Sequence, residues 1–279
     1  MTKSAKASRA LKSFPGTLLL VGAGKMGSAL LDGWLKLGLN PKKIVVLEPQ
    51  PSRTLVALKR QGLRLNPDKA GPPATVIVIA IKPQSAPEVL PSLVAWLGPK
   101  TAVVSIMAGR TLRFLERMLP NAAIVRAMPN TPASIGRGIT VACPNARITA
   151  AQRTLAHGML GATGAVEWVG NEGLMDAVTA VSGSGPAYVF LLAETLAQAG
   201  KSAGLPAELA EKLARETVAG AGELLHRSDL DAATLRGNVT SPGGTTAAAL
   251  DILMGDGGLE PLMTRAVMAA TRRGRDLAG

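Results

Sequence analysis

Between residues 15 and 110, short apolar runs alternate with stretches whose apolar positions recur at helical spacing. Residues 17–21, 43–47, 75–80 and 101–106 predict buried strands, and residues 28–37, 55–60 and 88–97 predict helices between them. Apolar strands alternating with helices imply a parallel sheet with right-handed crossovers. Further short strands are predicted at 123–127, 138–142 and 165–169. After about residue 171 the pattern changes to helical runs rich in Ala, Gly and Leu. These are predicted at 186–198, 206–226, a short one from Asp231, and two C-terminal helices. The reading is an α/β protein with a basic tail over 1–14, a sheet domain over 15–170 and an all-helical domain over 171–279. Small residues would let the helices pack closely, and a second subunit is their expected partner.

At 279 residues the chain is long enough for two such domains. A formal charge of +12 invites a nucleic-acid reading. No long basic run or stacking-aromatic motif supports it, and Lys3, Lys6, Arg9 and Lys12 fall in the tail, so a solvated surface is expected instead. The single cysteine, Cys143, excludes an intrachain disulfide. With only His157 and His226 beside it, no local metal-ligand cluster forms. Cys143 is read as a small buried hydrophobe. No apolar segment reaches transmembrane length, and the basic start lacks the apolar core of a signal peptide, so a cytoplasmic protein is expected.

Gly22-Ala23-Gly24-Lys25-Met26-Gly27 follows a predicted strand and opens a predicted helix. In that context the Gly-x-Gly-x-x-Gly spacing points to a dinucleotide whose pyrophosphate lies on the helix N-terminus. Gly22 allows the tight turn, Gly24 the close approach of pyrophosphate, and Gly27 close helix–strand packing. Glu48 ends the second strand, where a carboxylate would bind ribose hydroxyls and repel a 2′-phosphate. Arg53 could receive that phosphate, so both NADH and NADPH stay open. The loops Ala80-Ile81-Lys82-Pro83 and Ile106-Met107-Ala108-Gly109 follow later strand ends and could line the nicotinamide half.

Ser241-Pro242-Gly243-Gly244-Thr245-Thr246 precedes an apolar helical run. It fits an ordinary N-cap after a Pro-Gly turn, or an anion-binding pocket in which free N–H groups and hydroxyls meet a carboxylate. Tyr188, the one tyrosine, is read as a packing residue.

From about Thr17 to Leu277 the chain resembles the pyrroline-5-carboxylate reductases. The glycine loop with Met26 and Ala80-Ile81-Lys82-Pro83 carry the likeness, with Arg126-Ala127-Met128-Pro129-Asn130-Thr131-Pro132, Ser182-Gly183-Ser184-Gly185-Pro186-Ala187-Tyr188 and the 241–246 turn. The resemblance implies a Rossmann-like NAD(P)-binding domain followed by a helical dimerisation domain. It implies a site between one subunit's cofactor domain and the partner's helices, and dimers that assemble into decamers. It also implies reduction of 1-pyrroline-5-carboxylate to L-proline by NADPH or NADH, the last step of proline biosynthesis. Carried over by position, Thr246 would hydrogen-bond the ring nitrogen. Thr245 and its neighbours Ser241 and Gly244 would hold the carboxylate, Asn238 and Glu172 would line the pocket, and Asn66 would touch the cofactor. Glu48 departs from the small hydroxyl residue that NADPH-using relatives often carry.

Two other readings compete. A 2- or 3-hydroxyacid dehydrogenase needs an acid/base for the alcohol proton, and the β-hydroxyacid family has a lysine after its second glycine motif. Residues 183–190 contain none. An NAD(P)-sensing scaffold would have no reason to retain the donor-rich turn.

Overall fold

A computed structural model describes residues 11–278. Its sheet comprises β1 (Leu18–Val21), β2 (Ile44–Leu47), β3 (Arg64–Leu65), β4 (Val76–Ile79), β5 (Ala102–Ser105), β6 (Ala123–Met128), β7 (Gly138–Pro144) and β8 (Gly164–Trp168). The order is β3-β2-β1-β4-β5-β6-β7-β8. Neighbours run parallel except β6 and β7. The short 3₁₀ turn Thr131–Ile135 between those two cannot supply the crossover that a parallel pair needs, so the chain folds straight back.

Helices α1 (Lys25–Lys36), α2 (Arg53–Leu58), α3 (Ala86–Val89), α4 (Leu112–Met118), α5 (Ala150–Leu160) and α6 (Met175–Val178) belong with the sheet. Successive side chains along a strand serve opposite faces. Leu18, Leu20, Val76 and Val78 join Trp34 in one core cluster. Leu19, Val21, Ile77 and Ile79 join Leu90 and Trp96 in the other. That is why these strands read as unbroken apolar runs.

Three expectations need correction. Residues 88–97 form not one helix but the single turn α3 followed by a 3₁₀ stretch, Leu90–Trp96. Pro87 and Pro91 withhold the N–H groups that a longer α-helix requires. The strand β3 was not anticipated, because two half-buried residues carry no periodic signal. The basic tail falls mostly outside the described residues, but Leu11 and Phe14 are fully buried in the first core cluster. Its last residues are therefore core.

The chain divides into two compact units: one runs to Gly183 and resumes at Thr271, the other is Ser184–Ala270. The division lies beyond the expected boundary at 170/171 because residues 172–183 stay with the sheet. There Met175 is buried against Val141 and Cys143. Burial and the nearby Glu172 carboxylate push the Cys143 thiol up, against the opposing pull of Arg126. Cys143 thus stays a protonated, packed side chain.

The second unit is built from α7 (Gly185–Ser202), α8 (Ala207–Arg227), α9 (Ala232–Asn238), α10 (Thr245–Leu253) and most of α11 (Leu259–Ala278). Asp231 caps α9 by accepting the Thr234 N–H, which lowers its own pKa. Among the described residues of this unit, those that are buried are the alanines Ala197, Ala210 and Ala214. Its large apolar side chains face outward instead, Phe190 at 65% and Ile252 at 78% exposure among them. Alanines let α7 and α8 approach closely, yet bury too little apolar surface to hold five helices. So large an exposed apolar surface marks an interface. No helix among the described residues is long and apolar enough to cross a membrane.

Candidate active site

The glycine loop leaves β1 where the strand order reverses, with β2 on one side and β4 on the other. In open α/β sheets ligands gather beyond the strand ends at such a switch point. Each glycine is needed for a separate reason. Gly22 has φ of +89°, and a Cβ there would lie 2.7 Å from the Ala80 carbonyl oxygen. A Cβ on Gly27 would sit 2.2 Å from the Gly22 carbonyl oxygen, so this helical turn packs on the loop only without a side chain. A Cβ on Gly24 would meet nothing within 4 Å. The protein does not need that glycine for its own packing, which fits a close-approaching ligand. Gly24 also caps α1 without any side-chain hydrogen bond, leaving the positive helix end open to an anion. Ala23 and Lys25 flank it, half-buried and exposed, while Met26 packs on the core beneath. These residues fit a dinucleotide pyrophosphate.

Glu48 lies just beyond β2. Its carboxylate accepts the Ala23 N–H at 2.7 Å and the Gln50 N–H at 2.9 Å. Asn66 brackets the Glu48 main chain. Its Oδ1 accepts the Glu48 N–H and its Nδ2 donates to the Glu48 carbonyl, both at 2.8 Å. Ala80 packs against the core, whereas Lys82 is exposed. Met107 is buried and Ala108 exposed, with Gly109 at φ +71° turning the chain. Sequence reasoning missed the residue that joins these two loops. The Arg110 guanidinium donates to the Pro83 carbonyl at 3.1 and 2.8 Å, and it stacks 4.6 Å from the Phe114 ring centre. No local motif announces an arginine whose partner lies on another loop.

Glu172 begins a 3₁₀ turn, Glu172–Leu174. Its Oε1 accepts from Arg126 Nη1 and from the Leu112 N–H, each at 2.7 Å. Asp176 stands 3.9 Å from the same guanidinium. The Arg126 side chain is 6% exposed, against 28% for Glu172. Here Glu172 clasps α4 to β6. The arginine inside an otherwise apolar strand was the signal for it. Replacing Arg126 with methionine strands two carboxylates and should cost about 3 kcal/mol. Urea unfolding measures this, and an unchanged midpoint would contradict the clasp. The 128–132 bend is also pinned from within, since Asn130 Oδ1 accepts the Ile139 N–H at 2.9 Å.

In the helical unit, Ser241-Pro242-Gly243-Gly244 closes with the Gly244 N–H donating to the Ser241 carbonyl at 3.0 Å. Proline second and a glycine at φ +69° third suit a type II turn. The N-cap of α10 is Gly244, and no side chain accepts from its first turn. A glycine N-cap after a Pro-Gly turn is compatible with ordinary capping, and it also leaves the first-turn N–H groups without a side-chain acceptor, as an anion seat requires. Ser241 and Thr245 are exposed and Thr246 half-buried, while Asn238 is exposed at the end of α9. Among the described residues, no cluster of His, Cys, Asp and Glu could hold a metal ion.

Residues 172–277 match the family model for pyrroline-5-carboxylate reductase dimerisation. Residues 17–109 match that for coenzyme F420-dependent NADP oxidoreductases. A pyrroline-5-carboxylate reductase from Synechocystis is 40% identical, over 92% of this chain and 97% of its own. The solved Coxiella burnetii enzyme of that name is 33% identical, with a TM-score of 0.86 over 95% of this chain and 99% of its own. A Plasmodium falciparum pyrroline carboxylate reductase, solved with NADP bound, is 29% identical with a TM-score of 0.77, covering 94% and 98%. With its helical residues matched by the dimerisation model and relatives up to 40% identical over nearly the whole length, this chain belongs to the pyrroline-5-carboxylate reductase family.

Proposed function

We propose that the chain reduces 1-pyrroline-5-carboxylate to L-proline with NAD(P)H, its 241–246 turn holding the substrate. The observation that carries this reading is the open N-terminus of α10, which a glycine caps and no side chain fills. A carboxylate there would meet free backbone N–H groups and the hydroxyls of Ser241 and Thr245. Thr246 would hydrogen-bond the ring nitrogen, and Asn238 would border the same pocket. The imine is basic enough to arrive protonated, so the site needs no strong general acid, in keeping with its hydroxyls and amides. Gly22 to Gly27, Glu48, Asn66, the 80–83 loop and the 107–109 loop would hold the cofactor. When bound, the nicotinamide supplies the hydride that the imine carbon accepts.

Cofactor oxidation should follow racemic pyrroline-5-carboxylate and ignore 2- and 3-hydroxyacids. Turnover of a hydroxyacid instead would replace this function with the dehydrogenase alternative.

The chain is a homo-oligomer, as its dimerisation-family helices and their outward apolar side chains require. Dimers gathered into decamers, working in the cytoplasm, complete the proposal. Sedimentation should give a decamer, and Phe190→Asp should lower the mass. A wild-type monomer at working concentration would contradict the helical interface.

A further inference from the structure

We infer that Glu48, held in place by Asn66, makes this protein select NADH over NADPH; the inference rests on the dinucleotide site proposed above. An acidic residue after the second strand is common ground for ribose recognition, but its geometry here adds two constraints.

The first is that the loop amide beside Glu48 is already taken from within. The Ala23 N–H, on the glycine loop, is the amide that faces the Glu48 side chain, and it donates to that carboxylate at 2.7 Å. The other carboxylate oxygen accepts the Gln50 N–H at 2.9 Å. An ionised carboxylate has about four lone-pair sites. Two remain for the 2′- and 3′-hydroxyls of an adenosine ribose, both of which can donate. A 2′-phosphate would bring negative charge against a fixed negative charge, with no donor left over at that carboxylate.

The second constraint is that the main chain carrying the carboxylate is fixed. Asn66 pairs with both main-chain groups of Glu48, and its own N–H donates to the Val46 carbonyl at 2.9 Å. It thereby continues the pairing of β2 beyond the strand's end. Asn66 does so at φ +46°, a left-handed conformation that asparagine tolerates and β-branched residues do not. Asn66 is thus a positioning residue for the main chain from which the carboxylate projects. Arg53, exposed at the first position of α2 and close to Glu48 in sequence, is the cation that could rescue a phosphate.

Direct titration of the full-length oligomer with NADH and NADPH, read by cofactor fluorescence, tests this. Wild type should bind NADH at least about tenfold more tightly, the scale of a like-charge clash. Glu48→Gln, which keeps the acceptor for Ala23 and removes the charge, should bring the two affinities within about threefold of one another. Asn66→Gly keeps the left-handed backbone and loses the bracket together with the side chain's own place beside the cofactor. It should raise the KM for NADH several-fold and leave kcat unchanged. Arg53→Ala should not alter the preference. NADPH binding as tight as NADH in wild type, an unchanged ratio in Glu48→Gln, or a preference carried by Arg53 would each overturn the inference. Binding of neither cofactor would instead remove the dinucleotide reading beneath it.

Discussion

Thr246→Ala lowers kcat for pyrroline-5-carboxylate about 10²-fold, the scale for losing one hydrogen bond at a reacting centre. Binding of NAD(P)H stays within about twofold, because the cofactor residues are on the sheet unit while Thr246 begins the second position of α10. The glycine N-cap means that α10 does not depend on a threonine hydroxyl for its start, so the substitution should leave the fold intact. Thr246→Ser keeps the hydroxyl and should recover most of the lost turnover. Single-turnover kinetics beside a cofactor titration separates these effects. Unchanged turnover in the alanine variant would remove Thr246 from the chemistry.

The second large effect lies in the glycine loop, where neighbouring glycines should fail differently. Gly27→Val places its Cβ on the Gly22 carbonyl, 2.2 Å from the oxygen, with the Ala80 methyl 3.3 Å away, and a backbone carbonyl cannot give way as a flexible side chain would. Overpacking of this kind costs about 2 kcal/mol or more, and the distorted loop loses cofactor affinity as well. A Cβ at Gly24 meets no protein atom within 4 Å, so Gly24→Val has open space at its first carbon. It should melt like wild type yet weaken NAD(P)H binding more than about tenfold, because the branched side chain occupies the pyrophosphate approach. Melting curves with cofactor titrations on both variants check the pair. A Gly24→Val protein that binds cofactor normally would contradict the role given to that glycine.

Sheet and helices were largely legible because buried strands leave unbroken apolar runs, as in 18–21 and 76–79. The misreadings have local causes. Pro87 and Pro91 interrupt a helical-looking run, β3 is too short to carry a pattern, and Leu11 and Phe14 hide among basic neighbours. The antiparallel β6–β7 pair follows from the shortness of its connection, not from either strand's composition. In the candidate site, residue identities were legible but not their partners. Glu48 is visible at a strand end, yet its bond to Ala23 spans a separation of 25 residues. The Arg126–Glu172 pair spans 46, and Arg110 reaches back 27 to Pro83. Such contacts depend on the topology of the sheet, which no local spacing encodes. The turn at 241–246 was ambiguous for a different reason: its sequence supplies hydroxyls that could have capped α10. Only the fold shows that Gly244 takes that place.

The most direct test is isotopic. Cofactor deuterated at both C4 positions, incubated with the full-length protein and racemic pyrroline-5-carboxylate, should yield L-proline with one deuterium at the former imine carbon for each cofactor oxidised. Cofactor oxidation without label at that carbon, or no proline at all, would contradict the account.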